Sequence, residues 1–171
     1  MQARADREAL ARALAITEVD PLTGARARAA GLTEIEHEID RSRRTGSTLV
    51  IVYVDVVGLK RRNDSAGHDA GDRLLKHVVA LITEHLRPYD LVVRLGGDEF
   101  LCAMSNMTRG DAHQRFSAIA SALAASREAG AIRTGYAQLT GSEAAKELIA
   151  RADSELNDRR RETDASGRVT P

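Results

Sequence analysis

Apolar positions follow two periods along the chain, and the switches between them predict its elements. Residues 3–19 are alanine-rich, with Leu10 and Leu14 one turn apart, and predict a helix that stops before Pro21 and Gly24. Leu32, Ile35 and Ile39 recur at helical spacing and predict a second helix over about 25–44, closed by Gly46. The period then changes. Leu49, Ile51 and Tyr53 point one way and Val50, Val52 and Val54 the other, so both faces are apolar, as in a central strand ending at Asp55. "GDRLLKHVVALITEHL" returns to the helical period. "DLVVRL" and "EFLCAM" predict the two arms of a hairpin, residues 110–128 another helix, "AIRTGYAQL" a weaker strand and "SEAAKELIARADSELNDRRR" a last helix. This order predicts an α/β (α+β) sandwich with a central, mostly antiparallel sheet flanked by helices.

A chain of 171 residues with 43% hydrophobic content suits one domain with a proper core. We place that domain at 20–161, with residues 1–19 as an N-terminal helix, either a stalk remnant or a short native start. Residues 162–171 are expected to form a flexible tail. Lys plus Arg equals Asp plus Glu at 25 each, so no overall field favours nucleic acid or an anionic membrane, and any anion site is local. The single cysteine, Cys102, excludes an internal disulfide and a multi-cysteine zinc site, which fits a reducing cytoplasm, and its apolar neighbours predict a buried thiol. No apolar run approaches the ~20 residues of a membrane span, so the chain is expected to be soluble and cytoplasmic.

Within the hairpin, "RLGGDEFLCAM" inserts two glycines and two acids between apolar arms. Gly96 and Gly97 read as a two-residue turn with positive φ. Asp98 and Glu99 are poor strand formers that repel each other, which predicts something positive opposite them. Asp55 ends the buried strand and Asp98 sits at the hairpin turn. Each alone reads as a solvated strand end; together they offer oxygen ligands suited to a hard cation such as Mg²⁺ that shares substrate phosphates. Between them, Asn63 and Asp72 pair an amide with a carboxylate. Such a pair can read guanine, whose N1–H and N2–H donate and whose O6 and N7 accept, although "NDSAGHDAGD" also reads as a loop before a helix start.

The sequence resembles the GGDEF family, the diguanylate cyclase catalytic domain, through "DPLTG" (20–24), "VDVVGLKRRNDSAGHDAGD" (54–72), "RPYDLVVRLGGDEF" (87–100) and "RADSELN" (151–157). The resemblance covers about residues 20–160. It implies a palm-like nucleotidyl-cyclase fold that condenses two GTP into cyclic di-GMP, releases pyrophosphate and works as a homodimer. It further implies that Asp55, the Val56 carbonyl and Asp98 hold Mg²⁺ or Mn²⁺, that Asp98 takes the proton of the attacking hydroxyl, and that Glu99 completes the acidic edge. Lys60 and Arg160 steady phosphate, Asn63, His68 and Asp72 bind the nucleoside, and Gly96 and Gly97 let phosphate approach the backbone. Arg87 and Asp90 occupy the RxxD positions of an inhibitory product site, where "RPYD" otherwise reads as an exposed turn.

Several positions depart from the family pattern. Val57 stands for a second aspartate, Leu59 for phenylalanine, Arg62 for a hydrophobic residue and Arg133 for the serine of a late "SIG" strand. Asn157 replaces a tyrosine, Arg160 a lysine and Asp164 an arginine. Two classes of function therefore follow from the resemblance: a cyclase, or a degenerate domain that binds GTP or cyclic di-GMP and signals without turnover.

Overall fold

The two apolar faces of the first strand each have a helical layer to bury them, and this decides the architecture. The computed structural model describes residues 18–166, with side chains described as far as Glu162. Its elements are α1 (Arg28–Thr45), β1 (Leu49–Val56), α2 (Leu59–Ala66), α3 (His68–His85), β2 (Leu91–Gly96), β3 (Glu99–Ser105), α4 (Arg109–Ala125), β4 (Ile132–Gln138) and α5 (Ala145–Ser166). The strands lie in the order β2-β3-β1-β4, and every pairing is antiparallel. This is the predicted α+β sandwich. Val50, Val52, Val54 and Val56 pack with Leu74, Val78 and Ile82 of α3 and Phe116, Ile119 and Leu123 of α4. On the other face Leu49, Ile51 and Tyr53 pack with Ile35 and Ile39 of α1 and Leu148, Ala152 and Leu156 of α5. Cys102 is fully buried, and burial pushes its thiol pKa up.

Some boundaries differ from expectation. The helix predicted over 3–19 lies outside the described residues except for its last two, of which Val19 bridges Arg26. The last helix continues past Arg161 to Ser166, so the first part of the expected tail is helical. A short helix, α2, occupies what the hydrophobic pattern left as loop. None of its residues is buried, so it carries no apolar periodicity to find. No helix among the described residues is long and apolar enough to cross a membrane.

Candidate active site

At one end of the sheet, register lines up three charged residues from three strands. Glu99 of β3 pairs with Asp55 of β1, and Asp55 pairs on its other side with Arg133 of β4. Directly opposed residues on neighbouring strands share a face, here the face covered by α1 and α5. The Val56 N–H donates to the Asp98 carbonyl at 2.9 Å, which ties the hairpin tip to the end of β1 and brings Asp98 beside Asp55. The residue opposite Glu99 is thus another acid. The positive group expected there, Arg133, sits one strand further on, with Nη1 4.0 Å from Asp55 Oδ2. Burial and the neighbouring Asp98 charge raise the Asp55 pKa, Arg133 and Arg160 pull against them, and Glu99 adds to the rise. The Tyr53 phenol is pushed up to about 12 by burial and then by the charges of Glu99 and Asp153. Among the described residues no three His, Cys, Asp or Glu side chains converge as a metal cluster. The acidic oxygen donors gathered at this edge are the Asp55, Asp98 and Glu99 carboxylates.

The hairpin differs from the predicted turn. Gly96 pairs with Glu99, so the loop is Gly97–Asp98, after a register shift between Arg94 and Gly96. Neither Gly96 nor Gly97 lies in the left-handed region. A Cβ added at either would meet no described residue within 4 Å. Neither backbone conformation nor packing among the described residues demands glycine here. The turn is braced from a distance: the Arg94 guanidinium donates to both Asp20 carboxylate oxygens, at 3.2 and 3.1 Å, and to the Gly97 carbonyl at 2.9 Å. Asp20 also accepts from the Thr23 N–H and hydroxyl at 2.8 and 2.6 Å. Burial raises its pKa, but the hydrogen bonds from Thr23 and Arg94 outweigh it and the net shift is downward. "DPLTG" therefore holds the hairpin through Arg94, a role that the motif alone did not suggest.

β1 passes through Val57 and Gly58 into α2, which places Lys60 in its first turn, exposed. α2 packs tightly on α3 at Gly71, where an added Cβ would lie 1.9 Å from Asn63 Oδ1. Asn63 Oδ1 is buried without a hydrogen-bond partner among the described residues. Asp72 follows Gly71 and lies one helical turn from His68, the first residue of α3, so Asn63, His68 and Asp72 are gathered at one helix pair. Arg62 is turned away to Glu128, 3.2 Å off, and donates to the Ala129 carbonyl.

Arg87 and Asp90 lie elsewhere. They sit where β2 begins and β3 ends, with Arg87 Nη1 3.4 Å from the Ser105 carbonyl. At ~3.3 Å per strand residue, β2 separates them from the hairpin tip by roughly 20 Å. The Arg87 N–H donates to Asp90 Oδ2 at 2.9 Å and its guanidinium to the Tyr89 hydroxyl at 3.1 Å. Asp90 Oδ1 is buried without a hydrogen-bond partner among the described residues, and burial raises the Asp90 pKa. Arg87 also lines a hollow with Asn106, Asp111, Gln114 and Arg115.

The sequence profile described as "Diguanylate cyclase, GGDEF domain" matches residues 17–165. The chain belongs to the GGDEF family. This GGDEF domain is 33% identical over 144 residues to diguanylate cyclase DgcP of Pseudomonas aeruginosa, covering 80% of the chain and 22% of DgcP. It is 40% identical over 90 residues to the cyclic di-GMP phosphodiesterase NbdA of the same organism, covering 53% of the chain and 11% of NbdA. It thus spans less than a quarter of the length of either relative. Among solved structures it resembles a microbial GGDEF domain described in a novel interaction mode with cyclic di-GMP, at 30% identity and a TM-score of 0.76 over 82% of this chain and 88% of that one.

Proposed function

We propose that this GGDEF domain is a diguanylate cyclase that joins two GTP molecules into cyclic di-GMP. The observation that carries this reading is the glycine pair. Gly96 and Gly97 are required neither by φ nor by neighbouring atoms of the described residues, and they border the edge where Asp55 and Asp98 converge. A site that leaves its backbone bare next to paired carboxylates is built for a phosphate chain approaching with a cation. Two carboxylates and a carbonyl form a hard-oxygen donor set, and the mutual repulsion that helps raise the Asp55 pKa is what a divalent cation relieves. Asp55, the Val56 carbonyl and Asp98 would hold Mg²⁺ or Mn²⁺, whose contribution is to neutralise charge on the triphosphate.

The chain's own residues do the rest. Asn63 and Asp72 read the guanine edge and His68 flanks it. Lys60 and Arg160 face the phosphates, and Asp98 accepts the proton as one 3′-hydroxyl attacks the α-phosphorus of the other GTP. A bond forms to that phosphorus, the α–β bond breaks, and pyrophosphate leaves. Two such steps close the ring, so two subunits must face each other, each holding one GTP. Arg87 and Asp90 form a separate product site: the half-buried Asp90 carboxylate and the Arg87 guanidinium offer the acceptor and the fork that a guanine nucleotide needs.

The degenerate alternative is favoured by the immediate surroundings of Asp55. Val57 gives the edge no second acid after β1, and Arg133 places a fixed cation beside Asp55. Turnover by wild type and Asp98→Ala separates the readings. The cyclase reading predicts cyclic di-GMP from the wild type, and its loss in Asp98→Ala with an unchanged circular dichroism spectrum, since an edge carboxylate contributes little to the core. Equal turnover by both would remove Asp98 from the chemistry.

A further inference from the structure

We infer that Arg133 is a substrate-binding residue that clasps the triphosphate together with Arg160. This rests on the reading of the Asp55 edge as a GTP site. The geometry begins at Gly135, where α5 crosses β4. An added Cβ there would lie 2.1 Å from the Ala152 carbonyl oxygen and 2.5 Å from the Leu156 nitrogen, so the helix backbone lies directly on the strand. Two residues before Gly135, on the same face of β4, is Arg133. One helical turn beyond Leu156 is Arg160. The close crossing therefore delivers two guanidiniums, from different elements, to the Asp55 end of the sheet, where both act electrostatically on that carboxylate.

Neither cation is consumed by the protein. The Arg133 guanidinium makes no hydrogen bond to a described residue. Its one ion pair, at 4.0 Å, is far longer than the ~2.7–2.9 Å of a charge-assisted bond. The Arg160 guanidinium has no ion pair or hydrogen bond with a described residue beyond its electrostatic effect on Asp55. Arg159, next to it, is by contrast bound to Glu155 at 3.0 Å and lies over the Tyr136 ring. Along the sheet end the acids lie on one side, at Glu99 and Asp98, Asp55 is central, and the cations lie on the other side. A phosphate chain whose associated cation sits at the carboxylates would extend toward Arg133 and Arg160. The Arg133 side chain is 27% exposed, so its five N–H donors reach that space without leaving the strand.

The test is calorimetry with the α,β-methylene analogue of GTP and with GMP, in Mg²⁺, on wild type, Arg133→Ser and Arg133→Lys. Losing a charged hydrogen-bond donor to phosphate predicts roughly ten- to hundredfold weaker binding of the triphosphate analogue by Arg133→Ser. GMP affinity should be unchanged, and Arg133→Lys should recover part of the loss. Melting curves of the three proteins establish that each is folded. Triphosphate binding by Arg133→Ser as tight as wild type, or tighter, would overturn the assignment, the tighter result marking Arg133 as a cation that merely occupies Asp55. Failure of the wild type to bind the analogue at all would instead refute the GTP site on which the assignment rests.

Discussion

Gly135→Ala places one methyl group where no room exists. The added Cβ lies 2.1 Å from the Ala152 carbonyl oxygen, about 1.3 Å short of an ordinary 3.4 Å contact, and 2.9 Å from Leu156 Cβ. The obstacle is helix backbone, which cannot rotate away as a side chain can, so α5 must lift from β4. Overpacking of this kind costs about 1–3 kcal/mol. For a domain of this size each kcal/mol lowers Tm by about 2–4 °C, giving an expected drop of roughly 2–12 °C. The displacement also carries Arg160 away from Asp55, because it sits one turn beyond Leu156. Affinity for the triphosphate analogue should therefore fall with stability, and Arg160→Ala on the Gly135→Ala background should cost less than it does alone. Thermal melting and calorimetry measure both effects. A Gly135→Ala protein that melts with the wild type would refute the close crossing of α5 over β4. One that melts early but binds the analogue normally would refute its role in presenting Arg160.

Three further expectations follow from the site. Asp72→Ser should cut the preference for GTP over ATP by about tenfold or more, since a hydroxyl cannot accept both guanine N–H groups; unchanged selectivity in competition binding places base reading elsewhere. Asp55→Asn should stabilise the metal-free protein at neutral pH and not at about pH 3. A carboxylate with a raised folded pKa destabilises the fold only as it ionises, a cost absent below the unfolded value near 3.9 and complete above the folded one. Melting temperatures across that range that show no gain on the neutral side would contradict the burial and Asp98 repulsion at Asp55. Arg87→Ala should weaken cyclic di-GMP binding about ten- to hundredfold by calorimetry, and undiminished binding would make "RPYD" only a turn.

Much of the fold was legible because burial writes itself into period. The two-sided apolar run of β1 and the helical stripes of α1, α3 and α5 exist to meet one another across the sheet. What the sequence hid is what does not depend on burial. α2 carries a single large apolar residue, Leu59, so its helix is fixed by its packing on α3 at Gly71 and not by any stripe of its own. The candidate acids could be named from their motifs, but cross-strand register decided that Glu99 faces Asp55 and that Arg133 flanks it. No local pattern encodes such register. The same holds for Asp20 and Arg94, 74 residues apart and joined only when the segment before α1 lies along β2. Glycines misled in one direction. The pair at 96 and 97 looked like turn chemistry, yet the turn falls one residue later and leaves them with open space.

The central claim is that this domain itself turns GTP into cyclic di-GMP. Incubating the purified chain with GTP and Mg²⁺, and following nucleotides by chromatography alongside released pyrophosphate, tests it most directly. The expected result is cyclic di-GMP accompanied by two pyrophosphates per product, with a rate per subunit that rises with protein concentration as paired half-sites form. GTP that binds but is recovered intact at every protein concentration would contradict it and leave a nucleotide-binding domain without turnover.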